Sequence, residues 1–297
     1  MINYEELENI IRKELDLPIC DDLSIYKTLS NKEYYTKRIN DIVNSHIPKI
    51  ESSYDPNILS KIESDGYAVV ENFISQEKVD AIVNFTKTIK GYQFHIPGRA
   101  FNTTPEFYTK DLNWNVCSYK MNHILTNPTI LNLLTRRDVV SLTQDYLGSM
   151  PVIGSTGLWW SKYTSEEFHT QKIHRDLDDF KFLAFFIYLS DVNDDNGPHV
   201  YYKNTHKGSE DLSEKVTIKG KAGTAIFGDT YALHNGQPLN SGDRLLFMTR
   251  YTLHKNNNFY RNLDSKLMLP SNMFFDIIDD NDVNKRLLSP FILSENK

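Results

Sequence analysis

Apolar positions recur at helical spacing through the first fifty residues. Leu7, Ile10, Ile11 and Leu15 share one helical face, and Pro18 ends the pattern. Tyr35, Ile39, Ile42, Val43 and Ile47 repeat it in a second helix that Pro48 stops. The charges between them, such as Lys37, Arg38 and Asp41, read as a solvated face. From residue 57 the texture changes. Residues 58–62 read as a short helix and residues 66–70 as a strand. Val79, Ile82, Val83 and Phe85 then form a helical stripe behind Ser75, a candidate N-cap, with Gly91 closing it. Residues 93–120, aromatic and polar with Pro97 and Pro105, read as loop. Two further helical segments follow Asn127-Pro128, the second ending at Gly148.

From about residue 151 the period is that of strands. They are predicted at residues 158–163, 172–176, 182–189, 200–202, 214–218, 224–227 and 244–253. The apolar run at 182–189 fits a strand buried on both faces. Asp194-Asp195-Asn196-Gly197-Pro198 and Asn240-Ser241-Gly242-Asp243 are turn signals. Short strands and turns in this number predict a mainly β fold with flanking helices, a double-stranded β-helix (jelly roll, cupin-like). The expected organisation is a helical extension over 1–56, the jelly-roll domain over 57–255 and a polar cap over 256–297, with some helix around 281–288.

Composition adds little to this picture. Hydrophobic residues are 40% and charged residues 24%, ordinary for a globular chain. A net charge of −6 argues against a nucleic-acid backbone or an anionic membrane as the main partner. No apolar run is long enough to span a bilayer, and the N-terminus lacks a secretory pattern. Cys20 and Cys117 form no metal or redox motif, so a cytoplasmic location is expected.

The chemistry concentrates in Ile173-His174-Arg175-Asp176. Residues two apart on a strand point to the same face, so His174 and Asp176 would project together. A third ligand is offered by His234, in Tyr231-Ala232-Leu233-His234-Asn235-Gly236. Two His and one carboxylate on one face of a metal, with other positions open, is the arrangement of non-haem Fe(II) oxygenases. Arg244 and Arg250 share strand parity, and either guanidinium suits a carboxylate. Arg175, flanking the ligands, reads as solvated, and Asp178 and Asp179 read as a polar loop. His169, His206 and His254 receive no metal role.

The ordered motifs resemble those of the phytanoyl-CoA dioxygenase-like family of Fe(II)- and 2-oxoglutarate-dependent oxygenases. The matching stretches are SDGYAVVENFISQEKVDAI at 64–82, YLG at 146–148, HRD at 174–176, YLSDVNDDNGP at 188–198 and GDTYALHNG at 228–236, followed by Arg244. The resemblance covers roughly residues 57–255. It departs in two places. The family has Pro-Gly-Ser-His where this chain has Lys203-Asn204-Thr205-His206, and Leu where it has His199.

The resemblance implies Fe(II) on His174, Asp176 and His234, 2-oxoglutarate held by Arg244, and O2 as second co-substrate. The family spacing selects Arg244 over Arg250. The implied reaction is hydroxylation of a small-molecule biosynthetic intermediate with release of succinate and CO2. Related halogenases replace the carboxylate with a small residue, so Asp176 disfavours halogenation. Desaturation, cyclisation or epimerisation at the same centre is the alternative, and a non-catalytic metal-binding module is the second. Trp160, Tyr163 and His199 are candidates for the substrate pocket.

Overall fold

The computed structural model describes residues 4–15, 31–89, 91–92, 116–163, 169–254 and 286–288. Of the loop expected over 93–120, residues 93–115 lie outside them and residues 116–119 form a strand instead, paired with the strand that follows; most of the C-terminal cap also lies outside. The main elements, helices mostly first and strands mostly last, are in chain order α1 (Tyr4–Glu14), α2 (Lys32–His46), α3 (Pro56–Asp65), β1 (Tyr67–Val70), α4 (Gln76–Thr86), β2 (Gly91–Tyr92), β3 (Val116–Tyr119), α5 (Met121–Ile124), α6 (Pro128–Leu134), α7 (Arg137–Leu147), β4 (Val152–Lys162), β5 (Phe182–Tyr188), β6 (His199–Tyr202), β7 (Lys215–Ile218), β8 (Ala225–Gly228), β9 (His234–Gly236) and β10 (Asp243–Thr252).

Local signals set many of these boundaries. Asp55 caps α3 through the Asn57 amide, with Pro56 at the first turn, and Gly66 ends it in the left-handed region at φ 89°. Asn127 and Pro128 start α6 in the same way. Ser75 does sit at the N-cap of α4, but its side chain makes no capping bond. That helix stops at Thr86, before Gly91.

The strands form two sheets. The larger runs β1-β8-β5-β10-β4-β3-β2, and the smaller runs β7-β6-β9. The architecture is thus a mixed α/β fold of two sheets and several helices. A jelly roll was expected; among the described residues both sheets are open, with no closed barrel. Strand alternation divides the larger sheet into two faces. Leu183, Phe185 and Ile187 of β5, Phe227 of β8 and Leu245 and Phe247 of β10 meet the helices in one core, which also takes in Leu7, Ile11, Ile39 and Val43 of the N-terminal helices. Ala184, Phe186, Tyr188, Ile226, Leu246 and Met248 face the other way and pack with Tyr201 and Ile218 of the smaller sheet. Every residue of β5 is buried for this reason. β4 extends further back than expected, to Val152, and passes close to Thr252, whose methyl would lie 2.8 Å from a Cβ at Gly154. Among the described residues no helix is long and apolar enough to cross a membrane.

Candidate metal centre

The short strand β9 pairs antiparallel with β6, placing His234 opposite Tyr201 and Gly236 opposite His199. Its free edge takes the segment around His174. No strand forms at 172–176, contrary to expectation. Instead His174 and His234 exchange backbone hydrogen bonds at 3.0 and 3.1 Å, and the Asp176 amide donates to the Thr230 carbonyl at 2.8 Å. This single bridge suffices to aim both side chains at His234. Donor atoms of His174, Asp176 and His234 all lie within 4.8 Å of one another. His174 Nε2 is 3.6 Å from Asp176 Oδ1, and His234 Nε2 is 3.8 Å from Asp176 Oδ2.

The far side of each imidazole is already committed. His174 Nδ1 is 2.8 Å from the Lys172 carbonyl, and His234 Nδ1 is 2.9 Å from the Ala232 carbonyl. A carbonyl only accepts, so each Nδ1 carries the proton and each Nε2 presents a lone pair. Burial pushes the His234 imidazole down to about 4, against the opposing field of Asp176, so it is neutral at neutral pH. Burial alone would raise the Asp176 carboxyl. The Arg250 guanidinium, His234 and His174 outweigh it and hold the carboxyl well below the usual range. Two imidazoles and one carboxylate fit a divalent first-row metal bound on one face, as in Fe(II) oxygenases.

Arg250 is the residue that sequence reasoning placed only as a rival. Its Nη2 donates to Asp176 Oδ2 at 2.7 Å, and its Nε lies 2.5 Å from Asp178 Oδ2. Asp178 is therefore an anchor rather than a solvated loop residue. Asp179 is another: it is buried and accepts from the Leu253 and His254 amides. Arg175 also departs from expectation. Its guanidinium donates to the carbonyls of Thr205, Tyr231 and Ser209 and to Glu210, which ties the ligand segment to its neighbours. Behind His234, the Tyr201 ring stacks at 5.7 Å between centroids. Gly228 makes room for it, since a Cβ there would sit 1.8 Å from the Tyr201 hydroxyl oxygen.

A family model described as phytanoyl-CoA dioxygenase (PhyH) matches residues 62–246. The chain belongs to the phytanoyl-CoA dioxygenase family. With the triad in place, this member is an enzyme of the Fe(II)/2-oxoglutarate-dependent oxygenase class. Its fold is similar to that of SnoN, a non-haem α-ketoglutarate-dependent epimerase from nogalamycin biosynthesis. The TM-score is 0.50 at 16% identity, over 66% of this chain and 84% of that one. SnoK, a carbocyclase of the same biosynthesis, gives 0.50 at 12% identity, over 72% and 94%. EctD from S. alaskensis, with bound Fe, gives 0.51 at 15% identity, over 73% and 89%. No curated protein matches the chain.

The other residues singled out in this family member fall in different places. Arg244 lies on the inter-sheet face of β10, on the same parity as Leu246, Met248 and Arg250. It is buried, and its Nη1 donates to the Gly197 carbonyl. Its Nε has no hydrogen-bond partner, and no carboxylate pairs with it among the described residues. His199 is buried beside His234, with the two rings 5.6 Å apart and 5° from parallel. Trp160 is a correction: alternation along β4 turns it into the helix-packed core, where its indole Nε1 lies 3.5 Å from Thr86 Oγ1. Trp159 takes the inter-sheet face instead. Tyr163 is 57% exposed at the end of β4, two residues past Ser161, the β4 partner of Arg244. Asn204 occupies the family's Gly position with φ 64°, a left-handed conformation that Asn tolerates.

Proposed function

We propose that this family member carries out an oxidative tailoring step on a small molecule, with Fe(II) held by His174, Asp176 and His234 and 2-oxoglutarate anchored by Arg244. The observation that carries the reading is the buried Arg244 guanidinium, which pairs with no carboxylate among the described residues. A buried charge of this kind is costly unless paired. The planar fork suits the far carboxylate of a dicarboxylate bound at the triad. Arg250, already engaged by Asp176 and Asp178, is not free for that task.

When bound, iron and 2-oxoglutarate supply an O2-dependent oxidation that breaks a substrate C–H bond, with succinate and CO2 released. The protein's part is positioning. His174 and His234 present fixed lone pairs, Arg250 keeps Asp176 ionised, and the apolar inter-sheet face limits water. The residues 57–255 would form the double-stranded β-helix, with 1–56 as extension and 256–297 as cap. SnoN and SnoK share the fold and are described as an epimerase and a carbocyclase, which supports epimerisation or ring closure as the outcome. Hydroxylation is the second reading, favoured by Asp176 at the position that halogenases leave open.

The test is an anaerobic titration with Fe(II) and then 2-oxoglutarate, following the visible charge-transfer band of the chelate. The wild type should develop the band, His174→Ala should not, and Arg244→Met should need far more 2-oxoglutarate. Absence of the band in folded wild type would overturn the reading. Product mass would then separate the outcomes: one added oxygen, two lost hydrogens, or no change for an epimer.

A further inference from the structure

His199 opens β6 immediately after Asn196-Gly197-Pro198, and its surroundings are built more for a ligand than for a core residue. Its backbone amide donates to the Tyr188 hydroxyl at 3.1 Å, which pins the start of the strand. The imidazole lies against Phe186, Tyr201 and His234, with centroids at 4.8, 5.0 and 5.6 Å. Its Nε2 is buried and has no hydrogen-bond partner among the described residues. An apolar side chain could fill this space without leaving a polar atom unpaired.

The position of the ring indicates what completes it. On one side is His234, a metal ligand. Directly across the strand pair is Gly236, where a Cβ would sit 3.8 Å from Arg244 Nη2. His199 therefore stands between the metal centre and the buried Arg244, the two points proposed to hold the ends of 2-oxoglutarate. It is not a fourth metal ligand, since the cluster of donor atoms contains only His174, Asp176 and His234 among the described residues.

We propose that His199 is a co-substrate-binding residue, its Nε2–H donating to a carboxylate oxygen of 2-oxoglutarate. The inference rests on the oxygenase reading above. It moves His199 from the substrate pocket to the co-substrate side of the site. An imidazole N–H suits the role, because a carboxylate oxygen only accepts.

The test measures 2-oxoglutarate affinity by the charge-transfer band in anaerobic Fe(II)-loaded wild type, His199→Leu, His199→Gln and Arg244→Met. Metal affinity is measured separately with Co(II) alone. His199→Leu should raise the 2-oxoglutarate Kd about tenfold, the worth of one ordinary hydrogen bond, and leave Co(II) affinity unchanged. His199→Gln, with an amide N–H of similar reach, should recover most of the loss. Wild-type 2-oxoglutarate affinity in His199→Leu, with Arg244→Met weakened, would overturn this proposal alone. A parallel loss of Co(II) binding in His199→Leu would also overturn it, by assigning the residue to packing. A wild type that binds Co(II) but no 2-oxoglutarate would overturn the oxygenase reading as well.

Discussion

Replacing Arg250 by Met should expose how the metal site is held together in the absence of metal. The guanidinium lies 2.7 Å from Asp176 and 2.5 Å from Asp178, and the three side chains are only 19, 14 and 15% exposed. Methionine keeps most of the apolar stem but takes the guanidinium away from both shielded carboxylates. Removing one partner of a buried ion pair costs about 3–5 kcal/mol. At about 2 °C per kcal/mol for a chain of this size, the melting temperature should fall by ~6–10 °C. A divalent metal would neutralise Asp176 but would not replace the lost Arg250–Asp178 ion pair. Added Co(II) should therefore raise the melting temperature of the variant more than that of the wild type, without full recovery. The assay is a thermal melt followed by circular dichroism, with EDTA and with Co(II). A metal-free variant melting within ~2 °C of the wild type would refute the reasoning, because breaking a buried pair should exceed that shift. Equal Co(II) shifts in both proteins would refute the link between Arg250 and Asp176.

Two other expectations concern stability. Arg286 is fully buried and bonds the Glu8 carboxylate of α1 and the Leu253 carbonyl after β10. Arg286→Met should cost about 3–5 kcal/mol, with partial recovery in the Glu8→Gln/Arg286→Met double variant; an unchanged melt would deny that this pair locks the terminal segments to the core. The His199 imidazole is held well below 6.5, first by burial and then by His234 and Arg244. It stays neutral when folded and takes up a proton when unfolded below about pH 6.5, so stability falls with acid by up to about 1.4 kcal/mol per pH unit. Denaturant titrations of metal-free protein between pH 7.5 and 5.5 should show a shallower decline in His199→Gln, and parallel profiles would rule out this source.

Much of the site was legible before any coordinates. His174 and Asp176, two residues apart, meet His234 as expected, although a single bridge rather than a strand aims them. Arg244 and Arg250 were inseparable by parity, and family spacing alone ranked them. What separates their surroundings among the described residues is the company each keeps, a pair of carboxylates for Arg250 and none for Arg244. Trp159 and Trp160 necessarily take opposite faces of a strand, and which face meets the helices depends on packing by distant segments that local pattern does not show. Arg175, Asp178 and Asp179 looked solvated because nothing local marks a charged residue whose partners lie 30 to 75 positions away.

Local pattern determined the elements. The apolar spacing of the N-terminal helices, the Asp55 and Asn127 caps and the unbroken apolar run of β5 depend on side chains within a turn or a strand of one another, where chain connectivity fixes the geometry. The motif order likewise determined the family. The tertiary structure decided which charged groups find partners and which do not. Ion pairing and burial depend on distances between segments far apart in the chain, and a shift of one residue in register reverses which side of a sheet a group faces. The Arg244 Nε and His199 Nε2 atoms left without a partner among the described residues exist only at that level.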